Sequence, residues 1–227
     1  MKQRAIFHLW LSFIGLVWLT SAASAQSSLF YTDAATGRTI QFTPFGTLVF
    51  QQQNLVSGAW RINYEDRSGT HSVWFFNQQQ TSGVQAVSLT ANLPSGQTLR
   101  PGVRLYVRAV MRSADGKLRL TQRFFWDVGR GPISSVLTVE NTSNSSLDVN
   151  NVIVWRPQEP PPVSSELCPY IPPTDGASIA TTLVSIGGQP YIRTVSSFTT
   201  PLQPAQAQDV PQAGCHGGRD EPPPDPS

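Results

Sequence analysis

Lysine, histidine, cysteine and methionine are all scarce in this 227-residue chain, which has two lysines, three histidines, two cysteines and two methionines. Charged residues are 13% of the total, about half the ~25% of an ordinary soluble domain, which disfavours a charge-driven disordered chain or a long solvated helix. No P-loop or dinucleotide fingerprint occurs, so the usual nucleotide-binding classes lack their glycine-rich phosphate cradle. Histidine-based catalysis has little material. Beyond residue 25 only His71 and His216 remain, and a Ser-His-Asp triad would need one of them. Gly176-Ala177-Ser178-Ile179-Ala180 only approximates the nucleophile elbow and lacks its strand-to-helix turn. The catalytic set is therefore read as none, and no cofactor is expected.

The first 25 residues read as a signal peptide. Lys2 and Arg4 form a basic start, Ala5 to Leu19 an apolar run, and Ala23-Ser24-Ala25 a small-x-small cleavage site. The apolar run is about 15 residues, short of the ~20 that a spanning helix needs. Export is expected, to the periplasm, the cell surface or the medium, with no transmembrane segment after cleavage. Without Lys2 and Arg4 the chain holds 14 basic and 14 acidic residues. They are unevenly placed. Arg100 to Arg130 carries eight basic and two acidic residues, and Gly131 to Ser227 three and nine.

Two cysteines in an exported chain read most simply as one disulfide, Cys168 to Cys215. A rival metal site of Cys168, Cys215, His216 and Asp220 lacks recognisable ligand spacing, so the metal set is also read as none.

Seventeen glycines and nineteen prolines punctuate short alternating runs, and no long helical periodicity appears. The expected fold is all-β: an antiparallel β-sandwich, Ig-like or jelly-roll-like, of ten to twelve strands. Two small sandwiches abutting near Gly129 to Pro132 are the alternative arrangement. Hairpins are signalled at Asp115-Gly116, at Gly187-Gly188 and between Asn141 and Ser146. The expected organisation is a signal at 1–25, a sandwich core at 26–156, a proline-rich segment plus hairpin at 157–200, and a largely disordered proline-rich tail at 201–227 tethered by the disulfide.

Two stretches resemble known families. Phe42 to Leu48 followed by Gly58-Ala59-Trp60 looks like the meander of bacterial lipocalin-like domains. Leu137 to Ser143 leading to Val152-Ile153-Val154 is similar to a strand pair of extracellular Ig-like modules. The first implies a small-ligand carrier and the second a contact module.

The candidate binding surface lies on the Asp115-Gly116 hairpin. Period-two alternation puts Arg104, Tyr106, Arg108 and Arg112 on one face of the first strand and Arg119, Arg123 and Phe125 on the same face of its return. Positions summing to 231 would pair, so Arg112 meets Arg119, Arg108 meets Arg123 and Arg104 meets Asp127. Opposed like charges disfavour pairing, so this face calls for an anion. That anion is an acidic glycan, a lipid headgroup or an acidic protein, or the chain's own acidic C-terminal part. Nucleic acid is disfavoured by export and overall neutrality. Trp60, Trp74, Trp126 and Trp155 are candidates for a sugar-stacking platform, with Trp60 and Trp74 the two candidates for exposure and Trp126 in the core. Asn141 and Asn144 begin N-glycosylation sequons. The expected function is a non-enzymatic exported component that engages a protein or anionic glycan, with self-association open. The alternatives are a secreted polysaccharide hydrolase and a lipocalin-like carrier.

Overall fold

The computed structural model describes residues 27–51, 55–77, 80–130, 133–157, 177–186 and 188–210. The signal segment and both cysteines, with the disulfide expected between them, lie outside these.

Every described element is a strand, and three sheets form. The N-terminal sheet has β1 (Leu29–Asp33), β2 (Thr39–Phe42), β3 (Leu48–Phe50), β4 (Leu55–Ser57) and β9 (Gln97–Leu99), in the order β4-β3-β2-β1-β9. The six-stranded sheet has β5 (Ala59–Asp66), β6 (Gly69–Asn77), β7 (Gln80–Ser82), β13 (Asp148–Pro157), β14 (Ala177–Ile186) and β15 (Gln189–Phe198), in the order β14-β15-β13-β5-β6-β7. The central sheet has β8 (Val84–Ala91), β10 (Arg104–Ser113), β11 (Leu118–Asp127), β12 (Ser134–Asn141) and β16 (Ala207–Asp209), in the order β16-β12-β11-β10-β8. Pairing is antiparallel except between β1 and β9.

One face of the central sheet organises the packing. Its inward residues on β10 and β11 divide between two cores. Leu105, Val107, Ala109, Phe124 and Trp126 pack with Tyr31, Ile40, Phe42, Leu48 and Phe50 of the N-terminal sheet. Met111, Leu118 and Leu120 pack with Trp60, Ile62, Phe75, Val152 and Val154 of the six-stranded sheet. Long β10 and β11 therefore span both cores, and two sheets lie side by side over one. The division between the two cores falls across β10 and β11, the strands of a shared sheet. The sheets are open and form no barrel, so the lipocalin-like meander at Phe42 to Trp60 is not part of one.

The seam between the cores is narrow. Gly46 has φ +69°, and a Cβ there would stand 2.7 Å from Cβ of Gln122 and 3.1 Å from Cε of Met111. Only glycine combines that left-handed backbone with so close an approach. Aromatic edges fill the first core, where Phe42 meets Tyr31 at 5.9 Å and Phe124 at 5.2 Å, both edge-on.

Two hairpins form as expected. β10 and β11 pair in the register that sums to 231, from Arg104 opposite Asp127 to Arg112 opposite Arg119, and β14 and β15 close around Gly188. The third does not. β12 and β13 belong to different sheets, because the chain crosses between layers at Asn141. That side chain is buried and donates to the carbonyls of Ser145 and Leu202. Of the two sequons, Asn144 is the exposed one. Composition turns polar and proline-rich after Thr200, yet the fold continues: Leu202 and Val210 are buried and β16 pairs with β12. Residues 201–210, expected to belong to a largely disordered tail, are part of the fold; residues 211–227 lie outside the described ones.

Candidate functional site

Three groups of polar and aromatic residues stand out: the arginine face of the central sheet, a clamp between two hairpin ends, and a groove on the six-stranded sheet.

The arginine face is assembled as the register requires. Arg104, Arg108, Arg112, Arg119 and Arg123 share the outer side of the central sheet with Tyr106 and Phe125, whose rings meet at 5.2 Å. Three arginines are matched within the chain. Arg104 Nε lies 3.1 Å from Asp127, Arg119 Nη1 donates to both oxygens of Glu140 at 3.2 and 3.0 Å, and Arg123 Nη2 donates to Asp209 at 3.2 Å. In each like-charged cross-strand pair one member is neutralised, Arg119 opposite Arg112 and Arg123 opposite Arg108. Arg108 and Arg112 are exposed and have no acidic partner among the described residues. Phe125, Val136 and Tyr106 form a small apolar cluster beside them.

The clamp joins the tip of the β5–β6 hairpin to the tip of the β10–β11 hairpin. Asp66 accepts from Lys117 Nζ, from Ser68 Oγ at 2.6 Å and from the Ser68 amide at 2.8 Å, and it contacts His71 Nε2 at 3.0 Å. Asp115 accepts from the Tyr64 hydroxyl at 2.5 Å, from Ser113 Oγ at 2.6 Å and from the Lys117 amide at 3.0 Å. The Lys117 ammonium stands between the two carboxylates, 3.7 Å from Asp115.

Electrostatics follow from these contacts. The hydrogen bond from Lys117, followed by those of Ser68, holds the Asp66 carboxyl well below the usual range against some desolvation. Burial pushes the Asp115 carboxyl up, but hydrogen bonds from Ser113, Tyr64 and Lys117 outweigh it and the net shift is down. Burial, then the hydrogen bond to Asp115, raises the Tyr64 phenol, and the bond to Asp66 raises Lys117.

Ser68, His71 and Asp66 bring together the residue types of a triad. Serine and aspartate both contact Nε2 of His71, at 3.1 and 3.0 Å, whereas a triad needs them on opposite ring nitrogens. A general acid needs a raised carboxyl, and both carboxyls here are lowered. The clamp's chemistry is that of a structural ion-pair network. Among the described residues, no three His, Cys, Asp or Glu side chains are grouped to hold a metal ion. The rival metal site at Cys168, Cys215, His216 and Asp220 lies outside them.

The groove lies on the outer face of the six-stranded sheet. On β6, Val73 and Phe75 point into the core while Trp74 and Phe76 alternate outward. Trp74 stands opposite Arg61 of β5, and Trp155 of β13 lies opposite Ala59. Ala59 itself is buried. The Phe76 ring meets Trp155 edge-on at 6.5 Å and Tyr191 at 6.4 Å. Trp60, Arg61, Trp74, Phe76 and Trp155 line a cavity of about 240 Å³.

Arg61 is aimed rather than loose: its Nε donates to Asn63 Oδ1 at 3.0 Å and Ser72 Oγ at 3.1 Å. It is exposed and makes no ion pair among the described residues. Arg193, opposite Trp155 on the far side, has a buried Nε with no hydrogen-bond partner.

The four tryptophans thus separate. Trp74 and Trp155 meet at the groove, and Trp126 is in the core as expected. Trp60 is corrected: it is 1% exposed and its Nε1 donates to the Phe45 carbonyl at 2.9 Å. Its inward position follows from the alternation that puts Ile62 and Tyr64 in the core. A sequence signal for the groove did exist. Val73-Trp74-Phe75-Phe76 is apolar on both faces, so only one of its two apolar sets can belong to the core.

Comparison with known protein families, with curated proteins and with solved structures finds no match.

Proposed function

We propose that this protein is an exported, non-enzymatic β-sandwich binding module that engages an anionic glycan through the groove on its six-stranded sheet. The observation that carries this reading is the composition of the groove. Trp74 and Phe76 of β6 and Trp155 of β13, the strands on either side of β5, offer aromatic surface, and between them Arg61 of β5 is oriented by Asn63 and Ser72. Sugar rings present apolar C–H faces that stack on indole, while hydroxyls and carboxylates need hydrogen-bond donors at the rim. A guanidinium fork matches a carboxylate in two parallel hydrogen bonds. A rigid sheet holds the rings in place before a ligand arrives, which lowers the ordering cost of binding.

Tryptophan emission of the secreted chain, titrated with acidic and neutral oligosaccharides of equal length, tests the proposal. Saturable quenching by the acidic series, lost in Trp74→Ala, is expected. Quenching that Trp74→Ala retains, or none with any glycan, overturns it.

A further inference from the structure

We propose that the acidic, proline-rich stretch 211–227 of this same chain docks on the outer face of the central sheet, over Arg108 and Arg112. This inference does not depend on the groove.

The route begins in the described residues. β16 lies at the edge of the central sheet beside β12, with Asp209 opposite Thr138. Asp209 has already turned onto the outer face, accepting from Arg123 Nη2 at 3.2 Å and Thr138 Oγ1 at 2.5 Å. The Val210 amide continues the pairing by donating to the Leu137 carbonyl at 2.8 Å. The described chain thus ends beside Leu137, next to Val136, whose cross-strand row continues through Arg123 to Arg108.

The charge and chemistry of the C-terminal stretch fit this face. The sequence Asp220-Glu221-Pro222-Pro223-Pro224-Asp225-Pro226 places three acids around a proline run. Proline-rich sequences favour binding in the extended polyproline conformation, which packs on aromatic surfaces at low ordering cost. The face offers Tyr106 and Phe125 next to two exposed arginines. Arg112 bends back over its own turn, its Nη2 2.5 Å from where a Cβ on Gly116 would be, so its guanidinium lies against the surface. Asp209 neutralises one arginine of the Arg108–Arg123 pair and Glu140 one of the Arg112–Arg119 pair; the tail would supply the other two charges.

Reach permits docking within one chain. Arg108 is three strand spacings from β16, about 14 Å, and residues 211–219 can span about 30 Å when extended. A tether of that length gives an effective concentration in the millimolar range, so weak exposed ion pairs suffice.

Arg219 is the one basic residue in the stretch, so trypsin cleavage after it reports docking in the full chain. We expect Arg108→Gln/Arg112→Gln to release the peptide 220–227 about tenfold faster than the parent at low salt, the scale of two exposed ion pairs. Raising the salt to 0.5 M should abolish the difference. Both substituted side chains are exposed, and urea unfolding of the variant checks that the fold is retained. Equal cleavage rates in parent and variant overturn the proposal. Protection that rises with protein concentration also overturns it, in favour of a tail donated by a second copy. Protection that appears only when an acidic oligosaccharide is added overturns it in favour of an outside ligand.

Discussion

Replacing Tyr64 by phenylalanine removes its hydroxyl and with it the 2.5 Å bond to Asp115 that joins the six-stranded sheet to the central hairpin. Hydrogen bonds to charged groups contribute roughly 1.5–3 kcal/mol net. The lower end applies, because the Asp115 side chain is 30% exposed and keeps Ser113 and the Lys117 amide as donors. The expected cost is therefore about 1.5 kcal/mol at pH 7, or about 3–6 °C in Tm for a domain of this size. The bond's strength depends on the charge. Asp115 is held below its ordinary value of 3.8 in the folded protein, so its contribution is complete above that value and is lost as pH falls through the folded one. Once the acid is neutral, the same substitution should cost only about 0.5–1 kcal/mol. Urea unfolding of parent and Tyr64→Phe over a descending pH series from 7 measures both costs. A loss under about 0.5 kcal/mol at pH 7, or a loss that grows as the acid is protonated, would rule out the charge-assisted bond.

The same packing sets further outcomes. The clamp as a whole predicts a plateau of stability. Asp66 and Asp115 are lowered, so their contribution fades as pH drops below about 4; Lys117 is raised, so its contribution fades only as pH rises above its ordinary 10.5. Thermal unfolding from pH 2 to pH 11 maps this, and a midpoint that climbs steadily between pH 5 and pH 9 would count against it. Gly46→Ala should cost about 2–4 kcal/mol, from left-handed strain plus overpacking against Gln122. Gly116→Ala should cost only about 1 kcal/mol, because the atom it would meet is the movable end of Arg112. Equal costs for the two in denaturant unfolding would contradict the tight seam. Asp209→Asn should lose about 0.5–1 kcal/mol, with hydrogen exchange quickening in β16 before any other strand.

Much of the fold was legible because burial imposes a period of two. One turn dipeptide, Asp115-Gly116, fixed the whole register of β10 against β11. The strands that did not announce themselves, β4, β7, β9 and β16, have three residues each, too short for an alternation to show. Sheet membership was also invisible. Asn141 to Ser146 has the look of a hairpin loop, but the burial of Leu147 against Leu202 draws the chain into another layer, and that contact spans 55 positions. The clamp was unreadable for the same reason: Asp66 and Lys117, and Tyr64 and Asp115, are each 51 residues apart. The arginine face was legible down to its pairs, but its partners Glu140 and Asp209 come from strands whose neighbours no local pattern specifies.

Arg61 and the rings around it carry the proposed binding. Calorimetric titration of the protein with an acidic hexasaccharide, and with the same hexasaccharide after reduction of its carboxyl groups, tests this for the parent and for Arg61→Gln. The account predicts that carboxyl reduction weakens binding to the parent about tenfold or more, as expected for a lost charge-assisted pair, and that it makes little difference to Arg61→Gln. Equal affinity of the parent for the two ligands, or the same loss in both proteins, would contradict it.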